Sequence, residues 1–133
     1  MRNVCATSPT NCRADGSSRS VATDLDGDGL TDVTVASTIV VNGDGSRTTT
    51  QTATNRNSTL RNKTITLLST DGNTTTVQTD ADGDGNYEST NIDAEVLNLD
   101  GSITETVTNK DVNGVVTSKS VSTWSADGKT RAI

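Results

Sequence analysis

The stretch "DLDGDGLTD", residues 24–32, sets four aspartates and two glycines in nine positions, and "DADGDGNYE", residues 80–88, writes it again 56 residues later. Sliding the chain by that offset aligns "NGDGS" (42–46) with "NLDGS" (98–102) and "STDG" (69–72) with "SADG" (125–128), without a gap. The register extends backwards too, laying "ADGSSRSVAT" (14–23) over "TDGNTTTVQT" (70–79), and 20 of the 54 pairs between 24–77 and 80–133 are identical. A fixed period of this length marks a repeat architecture and governs every local reading. Residues 16–71 and 72–127 make two full periods. With boundaries drawn at the acidic loops, the chain divides into an N-terminal extension (1–12), a first repeat (13–79, loop 24–32) and a second repeat (80–133, loop 80–88).

Between the acidic loops the turns share one grammar. Asn42-Gly43-Asp44-Gly45, Ser69-Thr70-Asp71-Gly72 and their copies at 98–101 and 125–128 each offer a side-chain acceptor, then Asp, then Gly where the backbone needs positive φ. That is a type I turn closed by a G1 bulge, a hairpin connection. "NRNS" (55–58) and "DVNG" (111–114) occupy equivalent places and offer Asn for the left-handed position. The intervening runs, such as "VTVASTIVV", "KTITLL" and "SITETVT", are β-branched and partly alternating, and none has helical apolar spacing. The expectation is an all-β fold: an elongated antiparallel β-hairpin repeat, about four strands per 56-residue repeat and eight to ten in total, with the Asp-rich loop as every fourth connection.

Composition narrows the function classes. The chain has 133 residues, 29% apolar, with no Phe, one Trp and one Tyr. So thin a core struggles against ordering entropy of about 1–2 kcal/mol per residue, so something besides burial has to hold the fold. The net charge of -6 argues against a nucleic-acid partner. No apolar run reaches the length of a membrane span. The acidity is local: eight of the seventeen acids sit in the two loops, and without them the net charge would be +2. Charge kept for solubility is spread out, whereas charge that collects a hard cation is concentrated.

Each loop reads D-x-D-x-D-G-x-x-[DE]. Carboxylates stand at positions 1, 3, 5 and 9, Gly at 6 permits a sharp turn, and position 7 offers a carbonyl, a set that wraps oxygens round one Ca²⁺. The candidate ligands are Asp24, Asp26, Asp28, the Leu30 carbonyl and Asp32 in one site. In the other they are Asp80, Asp82, Asp84, the Asn86 carbonyl and Glu88. Position 12, where an EF-hand carries its bidentate Glu, is Val35 or Asn91, so closure falls to position 9 and the flanks are strands. About two Ca²⁺ per chain are expected.

The segment "DLDGDGLTDVTVAS" resembles the calcium loop of FG-GAP repeats. The whole unit, from about residue 13 onwards, is similar to the Thr/Asp/Gly-rich tandem arrays of large secreted bacterial surface proteins that often accompany RTX-type repeats. The resemblance implies calcium at the two residue sets just named and an extracellular or cell-surface location. The RTX nonapeptide G-G-x-G-x-D is absent, so a parallel β-roll is not expected, and two repeats cannot close a propeller.

The remaining features suggest roles outside the loops. The ladders Thr48/Thr50/Thr52/Thr54 and Thr104/Thr106/Thr108 suit an exposed strand face, or else an array that binds ice or a glycan. Trp124 is expected to plug a local core. Cys5 and Cys12 could close a small disulfide loop, remain free thiols or pair between subunits. There is no His and no nucleophile motif, so an enzyme is not expected. The expected function is a structural, calcium-stabilised module of an extracellular protein, either an adhesin stalk segment or a filament subunit, whose partner is another copy of itself, joined head to tail through open edges at "SSRSVAT" and "KTRAI" with residues 1–12 reaching into the next subunit, or else the neighbouring repeats of a longer array. The alternative is a Thr-array binding module.

Overall fold

The computed structural model describes residues 10–12 and 17–133, with side chains from Ser17 onwards. Ten strands lie in one antiparallel sheet in chain order. They are β1 (Thr10–Cys12), β2 (Ser18–Thr23), β3 (Val33–Val41), β4 (Arg47–Asn55), β5 (Leu60–Leu68), β6 (Thr74–Asp80), β7 (Ser89–Leu97), β8 (Ile103–Asp111), β9 (Val116–Trp124) and β10 (Arg131–Ala132). The all-β hairpin repeat expected from the sequence is therefore what forms. Among the described residues there is no helix, and so none long and apolar enough to cross a membrane.

Each strand touches only its neighbours in the sheet, so among the described residues there is no second layer. The consequence for burial is direct. Ala53 is the one buried apolar residue among those described, while Val41, Leu97, Val96 and Val116 are exposed. The accessible surface is 9152 Å², against roughly 6,600 Å² for a compact monomer of this mass. Stability rests on the ladder and on its connections more than on a core.

The pairing register itself repeats every 56 residues. Val33↔Asn55 in β3–β4 becomes Ser89↔Asp111 in β7–β8. The bulge at Ala53/Thr54 returns at Asn109/Lys110. Thr10↔Val21, at the start of the sheet, matches Thr66↔Val77 between β5 and β6. β1 thus stands on β2 where the end of β5 stands on β6, and β10 stands on β9 where the start of β6 stands on β5. The edge expected at "SSRSVAT" is accordingly not bare, because β1 pairs with part of β2.

Register also sorts the Thr ladders. Both lie on one face, but their cross-strand rows are interrupted there by Ile65, Leu67, Gln78 and Ile92.

The turns follow the expected grammar at their glycines. The Gly45 N–H donates to the Asn42 carbonyl at 2.9 Å, and Gly45 has φ 89°. The Asp44 carboxylate accepts from the Ser46 amide and hydroxyl, and Asp100 does the same with Ser102. At "NRNS" and "DVNG" the expectation needs correcting. The left-handed residues are Ser58 (φ 66°) and Gly114 (φ 76°), not the Asn before them. The Ser58 N–H donates to the Asn55 carbonyl, so the left-handed site is again the fourth residue of the turn, and Asn57 occupies the Asp position, accepting from the Thr59 amide. Trp124 is also not a core plug: it is 39% exposed, with the Arg131 guanidinium 5.0 Å from its ring. A single layer has no interior for it to fill. The possible disulfide of Cys5 and Cys12, and most of the 1–12 extension, lie outside the described residues.

Ser58 holds a conformation that L-residues adopt at a cost. Ser58→Gly should therefore raise stability by about 0.5–1 kcal/mol, and Gly114→Ser should lower it by a similar amount. Urea unfolding of the two variants measures both.

Candidate metal centres

Because every pair is antiparallel and in chain order, connections alternate between the two ends of the sheet. One end carries both acidic loops, with the 56–59 and 112–115 turns beside them. The opposite end carries the four Asp-Gly turns. The acidic loops connect β2 to β3 and β6 to β7, equivalent places in the two repeats.

Within each loop the same amides organise the same carboxylates. Asp24 accepts from the Gly27 and Gly29 amides at 2.7 and 2.8 Å. Asp80 accepts from Gly83 and Gly85 at 2.6 and 3.0 Å. Asp26 and Asp82 take the amides of Asp28 and Asp84. Those residues in turn take the amides of Leu30 and Asn86, both at 2.7 Å. The closing acids reach back across the loop, Asp32 to the Leu25 amide at 2.8 Å and Glu88 to the Ala81 amide at 2.5 Å. Inward amides of this kind form an anion-holding nest and offset the repulsion among the acids. Two acids carry its mark. The Gly29 and then Gly27 amides lower the pKa of Asp24, and the Asn86 amide and side chain lower that of Asp84.

The carboxylates converge unequally. One oxygen from each of Asp80, Asp82, Asp84 and Glu88 lies within 4.8 Å of every other, inside the roughly 5 Å span across a calcium coordination sphere. Asp24, Asp26 and Asp28 converge in the same way, but Asp32 stands outside that group. Both clusters could hold a metal ion. Leu30 and Asn86 take the seventh loop position, as their spacing requires.

The surroundings of the loops differ, and the sequence pattern did not reveal how. Arg56, from the turn beside the first loop, sets its Nη1 3.2 Å from Asp28 Oδ2. Its counterpart one period later is Val112, so the second loop has no such cation. At the second loop the β5 backbone closes in instead. A Cβ on Gly83 would collide with the Leu60 carbonyl, and Lys63 lies 6.0 Å from the Tyr87 ring. Asp80 is 1% exposed, whereas Asp24 is exposed. The 56-residue offset does mark Arg56/Val112 and Tyr87/Thr31 as places where the copies diverge, which is the signal available beforehand.

Compared with known protein families, curated proteins and solved structures, the chain matches none.

At the opposite end, hydrogen bonds hold four more aspartates below the ordinary carboxylate pKa. The Ser46 hydroxyl and amide act on Asp44, the Ser69 hydroxyl and Asn73 amide on Asp71, and equivalent donors on Asp100 and Asp127. A folded-state pKa below the unfolded value contributes stability that is present above the unfolded pKa and is lost as pH falls through the folded one. The sheet should therefore keep its melting temperature from pH 7 down to about 5 and lose it progressively below about 4. Asp44→Asn/Asp100→Asn keeps an acceptor for Ser46 and Ser102 without the titration, so its loss on acidification should be smaller. Melting curves at stepped pH check this.

Proposed function

We propose that the chain is a structural module in which two loops bind Ca²⁺ and brace a single-layer sheet. The observation that carries the reading is the convergence of Asp80, Asp82, Asp84 and Glu88, repeated for Asp24, Asp26 and Asp28 in the same loop one period earlier. Hard oxygen donors in a flexible loop suit Ca²⁺ better than Mg²⁺, which demands near-ideal octahedral geometry, or the softer metals, which prefer nitrogen and sulfur. The resemblance to calcium-loop repeats of secreted bacterial surface proteins points the same way and to an extracellular setting, where millimolar Ca²⁺ would fill even sites of 10⁻⁴–10⁻³ M affinity. The Leu30 and Asn86 carbonyls and Asp32 would complete the ligand sets, Asp32 by exchanging the Leu25 amide for the ion.

Bracing is the role that such ions serve best in this sheet. A loop of eight or nine residues holds its hairpin less firmly than a four-residue turn does, and an ion joining positions 1 and 9 converts it into a clamp. The alternative of an ice-binding Thr array has less support, because Ile65, Leu67, Gln78 and Ile92 break the hydroxyl rows.

At ten times its Kd, Ca²⁺ should add about 1.4 kcal/mol per site, visible as a higher melting temperature than in EDTA. Titration calorimetry should resolve two unequal events. Asp84→Asn should remove the tighter one, and Asp44→Asn should change neither. Arg56 competes for Asp28 with an exposed ion pair worth roughly 0.2–1 kcal/mol, so Arg56→Ala should tighten the weaker event by up to about fivefold. Equal melting temperatures with and without Ca²⁺, for protein first stripped of metal, would defeat the proposal.

A further inference from the structure

The cross-strand register sorts the side chains of β3 to β9 into two faces of different chemistry. On the face that holds the Thr ladders, one row runs Val40, Thr48, Leu67, Thr76, Ile92. Val40, Leu67, Val96 and Val121 are exposed on it. Its charged residues in these strands are Lys63, Lys110, Lys119 and the buried Asp80, all in the half next to the acidic loops. Asp44 and Asp100 mark its other rim. Asn42 donates to Thr48 Oγ1, on this face, and to Ser46 Oγ, and the Ser46 hydroxyl donates to Asp44. Asn98, Thr104, Ser102 and Asp100 repeat that chain. The face therefore has cations towards one end, anions at the other and an uncharged middle, whereas the opposite face carries Arg47, Asp93, Glu95 and Glu105 among its strands.

We propose that this Thr face packs on the same face of a second copy, giving a two-layer dimer in which the acidic-loop end of each copy lies over the Asp-Gly turn end of the other. The partner is a second copy because the charge pattern is complementary to itself when turned end for end. A two-fold axis between the layers and across the strands sets each strand over its own copy, running the other way, as in aligned packing of two sheets. Asp100, at the turn that leads into β8, then meets the end of the other copy's β8 that carries Lys110, with Lys119 one strand away. Asp44, at the turn that leads into β4, comes within one strand of the other copy's Lys63. A two-fold axis along the strands would instead bring the acidic loops of both copies together.

The area suffices for such a contact. Seven strands about 4.8 Å apart and about 27 Å long cover roughly 900 Å², and a standard stable interface buries about 800 Å² per partner. Ile65, Leu67 and Ile92, which interrupt the hydroxyl rows, lie in the uncharged part and supply apolar burial there, while the Thr side chains between them add methyl groups. Because both copies use the same surface, the contact is isologous and closes at two. The inference goes beyond the calcium reading and does not rest on it.

The test compares two neighbours in β7. Val96 is on the Thr face and 57% exposed, and Leu97 is on the opposite face and 73% exposed, so a glutamate at either adds the same charge at a site already open to solvent. Val96→Glu also buries an unpaired carboxylate against the acidic-loop end of the other copy's β7. Light scattering on the full chain up to about 1 mM, in millimolar Ca²⁺, should give a wild-type mass that rises from 13.8 kDa and levels off at twice that value. Leu97→Glu should follow it, and Val96→Glu should stay monomeric with an unchanged far-UV spectrum. A monomeric wild type at 1 mM, a mass that climbs past two copies, a Val96→Glu that dimerises like wild type, or two variants that both stay monomeric would overturn the dimer. A dimer that fails while Ca²⁺ still raises the melting temperature leaves the calcium proposal standing.

Discussion

The constraint on which this structure depends is that every strand has neighbours beside it and none above or below it. With Ala53 as the one buried apolar residue described, the hydrophobic term that dominates an ordinary domain is small. The backbone ladder and the connections that set its register have to supply the difference. That requirement explains the uniformity of the turns. In five of the turns the third-position side chain, Asp44, Asn57, Asp71, Asp100 or Asp127, accepts from the amide two residues on, and at 111–114 the first-position Asp111 accepts instead from the Asn113 and Val115 amides. A one-residue slip would break each of these bonds. In a two-layer protein the core punishes slippage, whereas here the turns do so.

The same constraint gives the acidic loops their importance. They are the longest connections in the described sheet and the ones richest in like charge. Their amides bring the carboxylates together, and the clusters at Asp80–Glu88 and Asp24–Asp28 could hold a metal. The two copies have diverged in what surrounds them. The second loop is backed by Leu60 and Lys63, while the first is balanced by Arg56.

Much of this was legible in the sequence because the determining interactions are local. The Asn- or Ser-x-Asp-Gly turns and the loop spacing each lie within a few residues, and the 56-residue offset writes them twice, so strand number, connection order and the clusters could be read from them. What escaped depended on contacts from outside the segment. Alternation in "RTTTQTAT" shows which side chains share a face, but not whether another layer covers that face, so Trp124 read as a core plug. In "NRNS" the Asn looked like the left-handed residue because Asn tolerates that conformation well. The bond from Ser58 to Asn55 instead places the turn one residue later, where Ser58 bears the strain. Asp32 matched the motif, yet it stands outside the group of Asp24, Asp26 and Asp28, whereas Glu88, one methylene longer, makes the equivalent amide bond and still joins its cluster.

The central claim is that the ladder of a one-layer sheet is held at its long connections by Ca²⁺. Residue-resolved amide hydrogen exchange, in Ca²⁺ and in EDTA at a concentration where the chain is monomeric, tests it most directly. The account predicts graded protection that is greatest in β4, β5 and β8. On chelation, protection should be lost first in β2–β3 and β6–β7, the hairpins closed by residues 24–32 and 80–88, while the hairpins closed by the Asp44 and Asp100 turns keep theirs. Exchange that is the same in both conditions, or that collapses uniformly across all ten strands, would contradict it.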